Sequence, residues 1–314
     1  MVAPTVIALG GNAISPAGRA GTAAEQTENV RRTMTQVAEL VAGGLDALVL
    51  THGNGPQVGN VLVKNELARD VVPPVPLDWC VAQTQATIGF TIANTLGFAL
   101  AEHGIDRPVV PVVSRVCVAL DDPAWTHPTK PIGRWVTDAD EIARREADGQ
   151  HFVHDPERGW RRVVPSPQPL ECVDRRAIEL LLDDGAIVVA NGGGGIPVVR
   201  DDDGRLRGVE AVVDKDLSAA LVAVELHAQR LVILTDVSGV ARGYGTAAET
   251  WLERIDAAEL RALIEAGEFD VGSMGPKVTA ACQFAERRAA TASIASLDDL
   301  VGAVAGTHGT QVLP

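Results

Sequence analysis

Short β-branched runs recur along this chain, separated by longer segments of helical period, and that alternation leaves few architectures open. TVIAL (5–9), DALVLT (46–51), PVVPVV (108–113), AIVVAN (186–191), RLVILT (230–235) and TASIAS (291–296) read as strands. Between them Val30, Met34, Val37 and Val41 mark one face of a helix that Gly43 and Gly44 end, and Leu217, Leu221 and Val224 mark another. VEAVV (209–213) reads as a further strand meeting a helix that begins at Leu217. A third helix, about 256–266, opens on Asp256 with Glu259 in its first turn, a capping-box pattern with Asp in the Ser/Thr place. Such alternation builds βαβ units around a mostly parallel sheet.

At 314 residues the chain suits one large α/β domain, and we read 1–314 as a single domain with two halves, 1–185 and 186–314. Residues 121–169 break the rhythm with prolines, tryptophans and charges. They read as an inserted small lid, packed by Trp125, Trp135 and Trp160 and returning to the sheet before a helix at Asp174. A long disordered loop would not carry that many tryptophans.

Acidic residues outnumber basic ones 41 to 27, a formal net charge of −14. Such a body repels nucleic-acid backbones and anionic lipid surfaces, so any phosphate it binds must meet a local positive site. Cys80, Cys117, Cys172 and Cys282 form no C-x-x-C pair and have no histidines at zinc spacing, which suits free thiols in a reducing compartment. No stretch is apolar for long enough to span a bilayer, and MVAPTVIALGG lacks the basic start of a signal peptide. A soluble cytoplasmic protein is expected.

The candidate chemistry clusters where strands end. Gly10, Gly11 and Asn12 follow the first strand, Thr51 to Gly55 the second, and Gly192 to Gly195 follow AIVVAN. Ligands of open α/β sheets bind beyond the carboxyl ends of strands, so these turns are expected to line one crevice. Glycine reaches φ > 0 without strain, and its missing Cβ lets backbone N–H groups close on phosphate oxygens. Each turn taken singly is more often a tight connection than a phosphate site; the three together raise the phosphate reading. The common nucleotide and hydrolase fingerprints are absent: there is no G-x-x-x-x-G-K-[ST], no G-x-S-x-G and no H-E-x-x-H, and GNGPQVG has one residue too many for G-x-G-x-x-G. His151 and His154 stand on a polar lid segment and read as a solvated pair rather than metal ligands.

Lys130 in PTKPIG, Lys215 in VVDKD and Lys277 in GSMGPK sit among small or turn-forming residues in a chain that otherwise favours arginine. A compact ammonium can follow the shifting charge of a phosphoryl group, although exposure at the surface is the usual fate of lysine. Lys215 departs furthest from that fate, being flanked by Asp214 and Asp216, carboxylates suited to orient it or to hold a magnesium ion. Lys277 follows Pro276 at a helix start, so its ammonium and the helix's positive end can converge on one anion.

LGGNAI, THGNGPQVGN, PTKPIG, GWRRVVPSPQP, NGGGGIPVV, GVEAVVDKD, LVILTDV and GSMGPK, in that order and spacing, resemble the carbamate kinases of the amino acid kinase superfamily. PTKPIG within the lid and GVEAVVDKD mark that family rather than its acetylglutamate- or aspartate-kinase relatives. The resemblance implies an open αβα sandwich around a central, mostly parallel sheet of about eight strands, with a small protruding lid subdomain, assembled as a homodimer. It implies reversible phosphoryl transfer between carbamoyl phosphate and ADP, giving ATP and carbamate, with magnesium on the nucleotide phosphates. The pathway would be arginine or purine breakdown, or its reverse. Carbamate is already an anion, so no general base is needed, and catalysis reduces to alignment and charge neutralisation.

Carried onto matching positions, the resemblance makes Lys215 and Lys277 neutralise the transferring phosphoryl and the nucleotide phosphates, with Asp216 positioning both and Lys130 closing from the lid. Gly10, Gly11, Asn12, Thr51, His52, Gly53, Asn54 and Gly55 would cradle the acyl phosphate in the N-terminal half. ADP or ATP would lie over the C-terminal half, on Asp214, Thr235, Asp236, Val237, Met274 and Gly275. Two residues depart from the family's pattern: Thr51, whose methyl is expected to crowd a small substrate where serine is usual, and Arg134, which follows KPIG where proline or a small residue is usual.

Two other readings stand beside this one. A kinase acting on an amino-acid carboxylate needs a pocket for a larger acceptor, and a non-catalytic sensor of carbamoyl phosphate or nucleotide has little need of three lysines together with Asp216. Losing one well-placed donor to a developing charge costs about two to three orders of magnitude in rate. Lys215→Ala is therefore expected to keep the fold, by circular dichroism, and to lose most turnover. Near-normal turnover by the folded variant would overturn the assignment.

Overall fold

The structure is a computed structural model that describes residues 2–14, 21–270 and 272–314, and of Asn12 the backbone alone. Its centre is an eight-stranded sheet ordered, edge to edge, Arg254–Asp256, Thr310–Leu313, Ala292–Ser296, Arg230–Thr235, Thr5–Leu9, Leu48–His52, Ile187–Val189 and Val109–Pro111. Neighbours are parallel except where Ala292–Ser296 meets Thr310–Leu313. TVIAL and RLVILT form the strands expected of them, whereas DALVLT begins later than expected and runs on to His52.

Both faces of this sheet are covered. On Thr5–Leu9, Val6 and Ala8 enter one core while Ile7 and Leu9 enter the other, which is why the strand is apolar throughout rather than alternating. One core takes the helices Arg175–Asp183, Lys215–Glu225, Ala257–Glu265 and Met274–Arg288 through Ile178, Leu217, Leu260 and Phe284. The other takes Ala23–Ala42, Leu77–Glu102 and Leu300–Ala305 through Met34, Ile92 and Leu300. The result is an αβα sandwich. Because the inner strands are parallel, Thr5–Leu9, Leu48–His52, Ile187–Val189 and Arg230–Thr235 all deliver their carboxyl ends, and the turns that follow, to one edge.

Two local expectations fail for identifiable reasons. VEAVV enters no ladder: Val209 and Val212 donate to the carbonyls of Pro197 and Pro165, and the helix behind them starts at Lys215 because Asp214 caps it. At Asp256 the helix forms, but the side chain makes no capping bond; a capping box does form between Thr22 and Glu25, ahead of Ala23–Ala42.

The lid folds apart from the main sheet as three antiparallel strands, Lys130–Val136, Gly159–Val164 and His151–Asp155 in spatial order, with the helix Ala139–Ala147. Its seat on the body is aliphatic rather than aromatic: Ile132 and Val164 pack with Val58, Leu62, Leu77 and Val81. The tryptophans are only half-buried. Trp135 lies under the Arg161 guanidinium, Trp160 meets His154 in a tilted contact with centroids 4.6 Å apart, and Trp125 covers a separate cluster around Val118 and Val209. Gly59, on the helix Gln57–Ala68, meets the lid by backbone, since a Cβ there would stand 3.0 Å from Gly133 Cα. Gly133 has φ +69° beside a register shift, and Arg134 turns to the Glu141 carboxylate at 2.8 Å, bracing the lid. All four cysteines are buried and unpaired, and among the described residues no helix is long and apolar enough to cross a membrane.

Candidate active site

The site begins with a helix cap. Asp214 Oδ1 accepts from the backbone N–H groups of Asp216 at 2.9 Å and Leu217 at 3.3 Å, which starts the helix at Lys215 and fixes where its positive end lies. The other oxygen of the same carboxylate, Oδ2, accepts from Lys130 Nζ at 2.6 Å, reaching across from the lid. Asp216, only 2% exposed, holds Lys215 Nζ on Oδ1 and Lys277 Nζ on Oδ2, the latter at 3.2 Å. Three ammonium groups from three elements thus gather on two carboxylates, leaving one positive charge in excess. Burial pushes the Asp214 carboxyl up, but Lys130 and Lys215 outweigh it and hold the group below its ordinary value. Burial, helped by the Lys215 charge, lowers Lys277 against the pull of Asp216.

Three cavities meet around these side chains. A space of about 240 Å³ is lined by Gly53, Asn54, Gly55, Lys130, Gly193 and Asp214, and one of about 200 Å³ by Gly10, Gly11, Leu234 and Asp236. Lys215, Ser273 and Lys277 form a wall of both. A third, of about 640 Å³, is lined by Val237, Tyr244, Phe269 and Met274 and shares Thr235, Asp236 and Ser273 with the second. Together they make one crevice along the carboxyl edge of the sheet. A separate cavity of about 660 Å³ between the lid and residues 62–77 contains none of the three lysines.

The glycine-rich turns are explained by what they touch. Gly193 and Gly194 hold φ of 68° and 91°, and a Cβ on them would fall 2.1 Å from Asn54 Oδ1 and 2.2 Å from Val213 O. The Asn54 side chain and the Val213 backbone close on this turn and leave no space for a side chain on either glycine. Asn54 Nδ2 donates to Gly193 O at 3.2 Å and is itself held by Thr84 at 2.6 Å, while Gln85 Nε2 donates to Gly192 O at 2.9 Å. Gly53 is bare for a different reason: the stem of Lys215 crosses it, with Cδ 3.0 Å from where a Cβ would be.

Most of the expected site residues converge here, and some do not. Gly53, Asn54, Gly55, Lys130, Lys215, Asp216 and Lys277 line the first cavity, Gly10 and Gly11 the second, and Thr235, Asp236, Val237 and Met274 the third. Asp214, expected at the nucleotide, lies in the first cavity instead, because it caps the helix and pairs with the lid. Gly275 lines none of the three; its N–H donates to Asp270 O at 2.8 Å. Thr51 and His52, each 1% exposed, belong to the strand and line none of the three either, so the Thr51 methyl does not crowd the cleft. The Thr51 hydroxyl is buried without a hydrogen-bond partner among the described residues. His52 Nδ1 donates to Gly53 O at 2.8 Å, and its ring packs beneath Gly192. The Asn12 side chain lies outside the described residues. Gly193, in the turn expected at this crevice, lines the first cavity; Ser273 lines it too, although the sequence marks it only as part of GSMGPK. Gln85 gives no such signal, because its partners are 29 and 107 residues away.

Residues 3–296 match the amino acid kinase family. The carbamate kinase of Pyrococcus horikoshii is 44% identical over 311 residues, covering 98% of each chain. A solved structure from Aeropyrum pernix aligns with a TM-score of 0.94 at 43% identity, over 98% of this chain and 99% of that one. The carbamate kinase of Giardia lamblia bound to AMP-PNP aligns with a TM-score of 0.93 at 38% identity, over 99% of this chain and 98% of that one.

Burial lowers His52 from 6.5 to about 4, against the bond to Gly53. Below pH 6.5 the unfolded chain therefore takes up this proton before the native one does, so the contribution is fully present above 6.5 and lost as pH falls towards 4. A gap of this size corresponds to about 3 kcal/mol. Denaturant unfolding should lose about that much more stability between these pH values in the unaltered chain than in His52→Asn. Equal pH slopes for the two would overturn the assignment.

Proposed function

The chain belongs to the amino acid kinase family, with carbamate kinases among its relatives over nearly its full length, and on that premise we propose that it transfers a phosphoryl group between carbamoyl phosphate and ADP, giving ATP and carbamate. The observation that carries the reading is the gathering of Lys130, Lys215 and Lys277 on Asp214 and Asp216 where the cavities meet. The first cavity, at about 240 Å³, suits a small acyl phosphate better than an amino-acid derivative.

In this reading the acyl phosphate occupies the first cavity and the nucleotide the third, its phosphates reaching into the second. A terminal oxygen of ADP attacks phosphorus in line, the bond from phosphorus to the carbamate oxygen breaks, and carbamate leaves as an anion. Nucleophile and leaving group are both ionised, so no proton moves. Lys215 and Lys277 belong to both of the joined cavities and neutralise the phosphoryl oxygens throughout the transfer, with Asp216 fixing the two ammonium groups. The amino ends of Lys215–Glu225 and Met274–Arg288 add positive potential. Magnesium enters as part of the nucleotide substrate. Such an ion would be bound chiefly through phosphate oxygens and water. Four buried, unpaired thiols suit the reducing cytoplasm.

A homodimer belongs to the same proposal. Trp79, Phe90 and Phe98 stand 61%, 63% and 66% exposed on the helix Leu77–Glu102, a run of large apolar side chains that a second copy would cover. Sedimentation should give a dimer for the unaltered chain and a monomer for Phe90→Glu. A monomer in both would remove this part of the reading.

The reaction is tested by ATP formation from ADP, magnesium and carbamoyl phosphate, with acetyl phosphate and Lys215→Ala as controls. Turnover specific to the carbamoyl donor and lost in the variant is expected. Absence of turnover with carbamoyl phosphate still bound would favour a sensor. Because burial and Lys215 lower Lys277, the rate should decline with rising pH before the ordinary lysine value of 10.5; a rate undiminished to that pH would exclude Lys277 from the charge-neutralising role.

A further inference from the structure

Four ion pairs join the lid to the body among the described residues. Arg69–Asp148 at 3.2 Å, Arg145–Glu66 at 3.8 Å and Arg162–Glu210 at 3.5 Å lie away from the crevice, and Lys130–Asp214, at 2.6 Å, is both the shortest and the one that lines it. The two oxygens of Asp214 face different partners: one is committed to the backbone at the start of Lys215–Glu225, the other to the lid. A single carboxylate therefore sets the distance between Lys130 and the helix that bears Lys215 and Asp216.

We propose that Asp214 is a positioning residue, holding the lid lysine over the first cavity so that it stands ready before substrate arrives. The inference rests on the phosphoryl-transfer reading for its kinetic consequence but not for its geometric one. An ammonium has three N–H donors, and the bond to Asp214 occupies one, leaving the others for an incoming oxyanion. Nothing in the motif VVDKD distinguishes this first aspartate's task from that of the second, yet the two are divided: Asp216 serves the body lysines and Asp214 the lid lysine.

Asp214→Asn separates cap from charge, because asparagine caps a helix about as well as aspartate but presents no anion to Lys130. The activity-independent readout is acetylation of Lys130 by a limiting pulse of acetic anhydride, measured by peptide mass spectrometry against the exposed Lys64. Lys130 should label several-fold faster in Asp214→Asn, with Lys64 unchanged; equal labelling would overturn the proposal whether or not the chain turns over carbamoyl phosphate. In the kinetic arm kcat should fall by up to about a hundredfold, as a misplacement of about 1 Å costs. KM for carbamoyl phosphate should not rise, because the change removes a negative charge from an anion site. The effect should vanish when Lys130→Met is already present, as expected for residues acting as one unit. A raised KM, or an equal further loss in the Lys130→Met background, would mark a merely structural role and overturn the proposal.

Discussion

Two aspartates flanking one lysine at the start of a helix hold this site together. Lys130, Lys215 and Lys277 come from the lid and from two helices, and three ammonium groups so close would repel one another without Asp214 and Asp216 between them. Among these five groups two anions stand against three cations, inside a chain of net charge −14. The sandwich serves that arrangement. Parallel strands bring their ends to one edge, the edge receives the amino ends of two helices, and the lid supplies the third lysine over an aliphatic seat.

Backbone crowding complements the charges. At Gly193 and Gly194 three segments meet so closely that any Cβ would overlap Asn54 or Val213, and at Gly53 the lysine stem takes the space that a side chain would fill. The glycines that read from sequence as phosphate cradles are therefore also packing necessities. Those roles do not compete, because a backbone stripped of side chains can approach both its neighbours and an oxyanion. Thr84 and Gln85, on the long helix Leu77–Glu102, keep these turns in register through side-chain amides and a hydroxyl.

Legibility followed locality. TVIAL and RLVILT could be read because strands sealed on both faces are continuously apolar. VEAVV has the same apolar character and was misread, since burial dictated its composition while proline carbonyls elsewhere in the chain took its hydrogen bonds. Thr51 and His52 enter the expected cradle through the family resemblance alone; both are paired strand residues, buried in the framework beneath the cleft. The three lysines were legible from their small-residue surroundings. The task of Asp214 was not, because its partner stands 84 residues away and no local pattern records the contact. Tryptophans in the lid suggest an aromatic core, but the rings take half-buried positions, Trp135 against Arg161 and Trp160 against His154, and aliphatic residues form the seat.

The wall common to the two smaller cavities has a thermodynamic corollary. Lys215 and Lys277 face both spaces, so in the proposed reaction the same pair of ammonium groups would serve the first anion to arrive and then be divided with the second. Under the proposed reaction, donor and acceptor would not load as independent ligands: each would alter the other's affinity by one shared factor, identical in both orders of addition. A crevice partitioned by its own cations is, in that sense, a coupling device between two substrates.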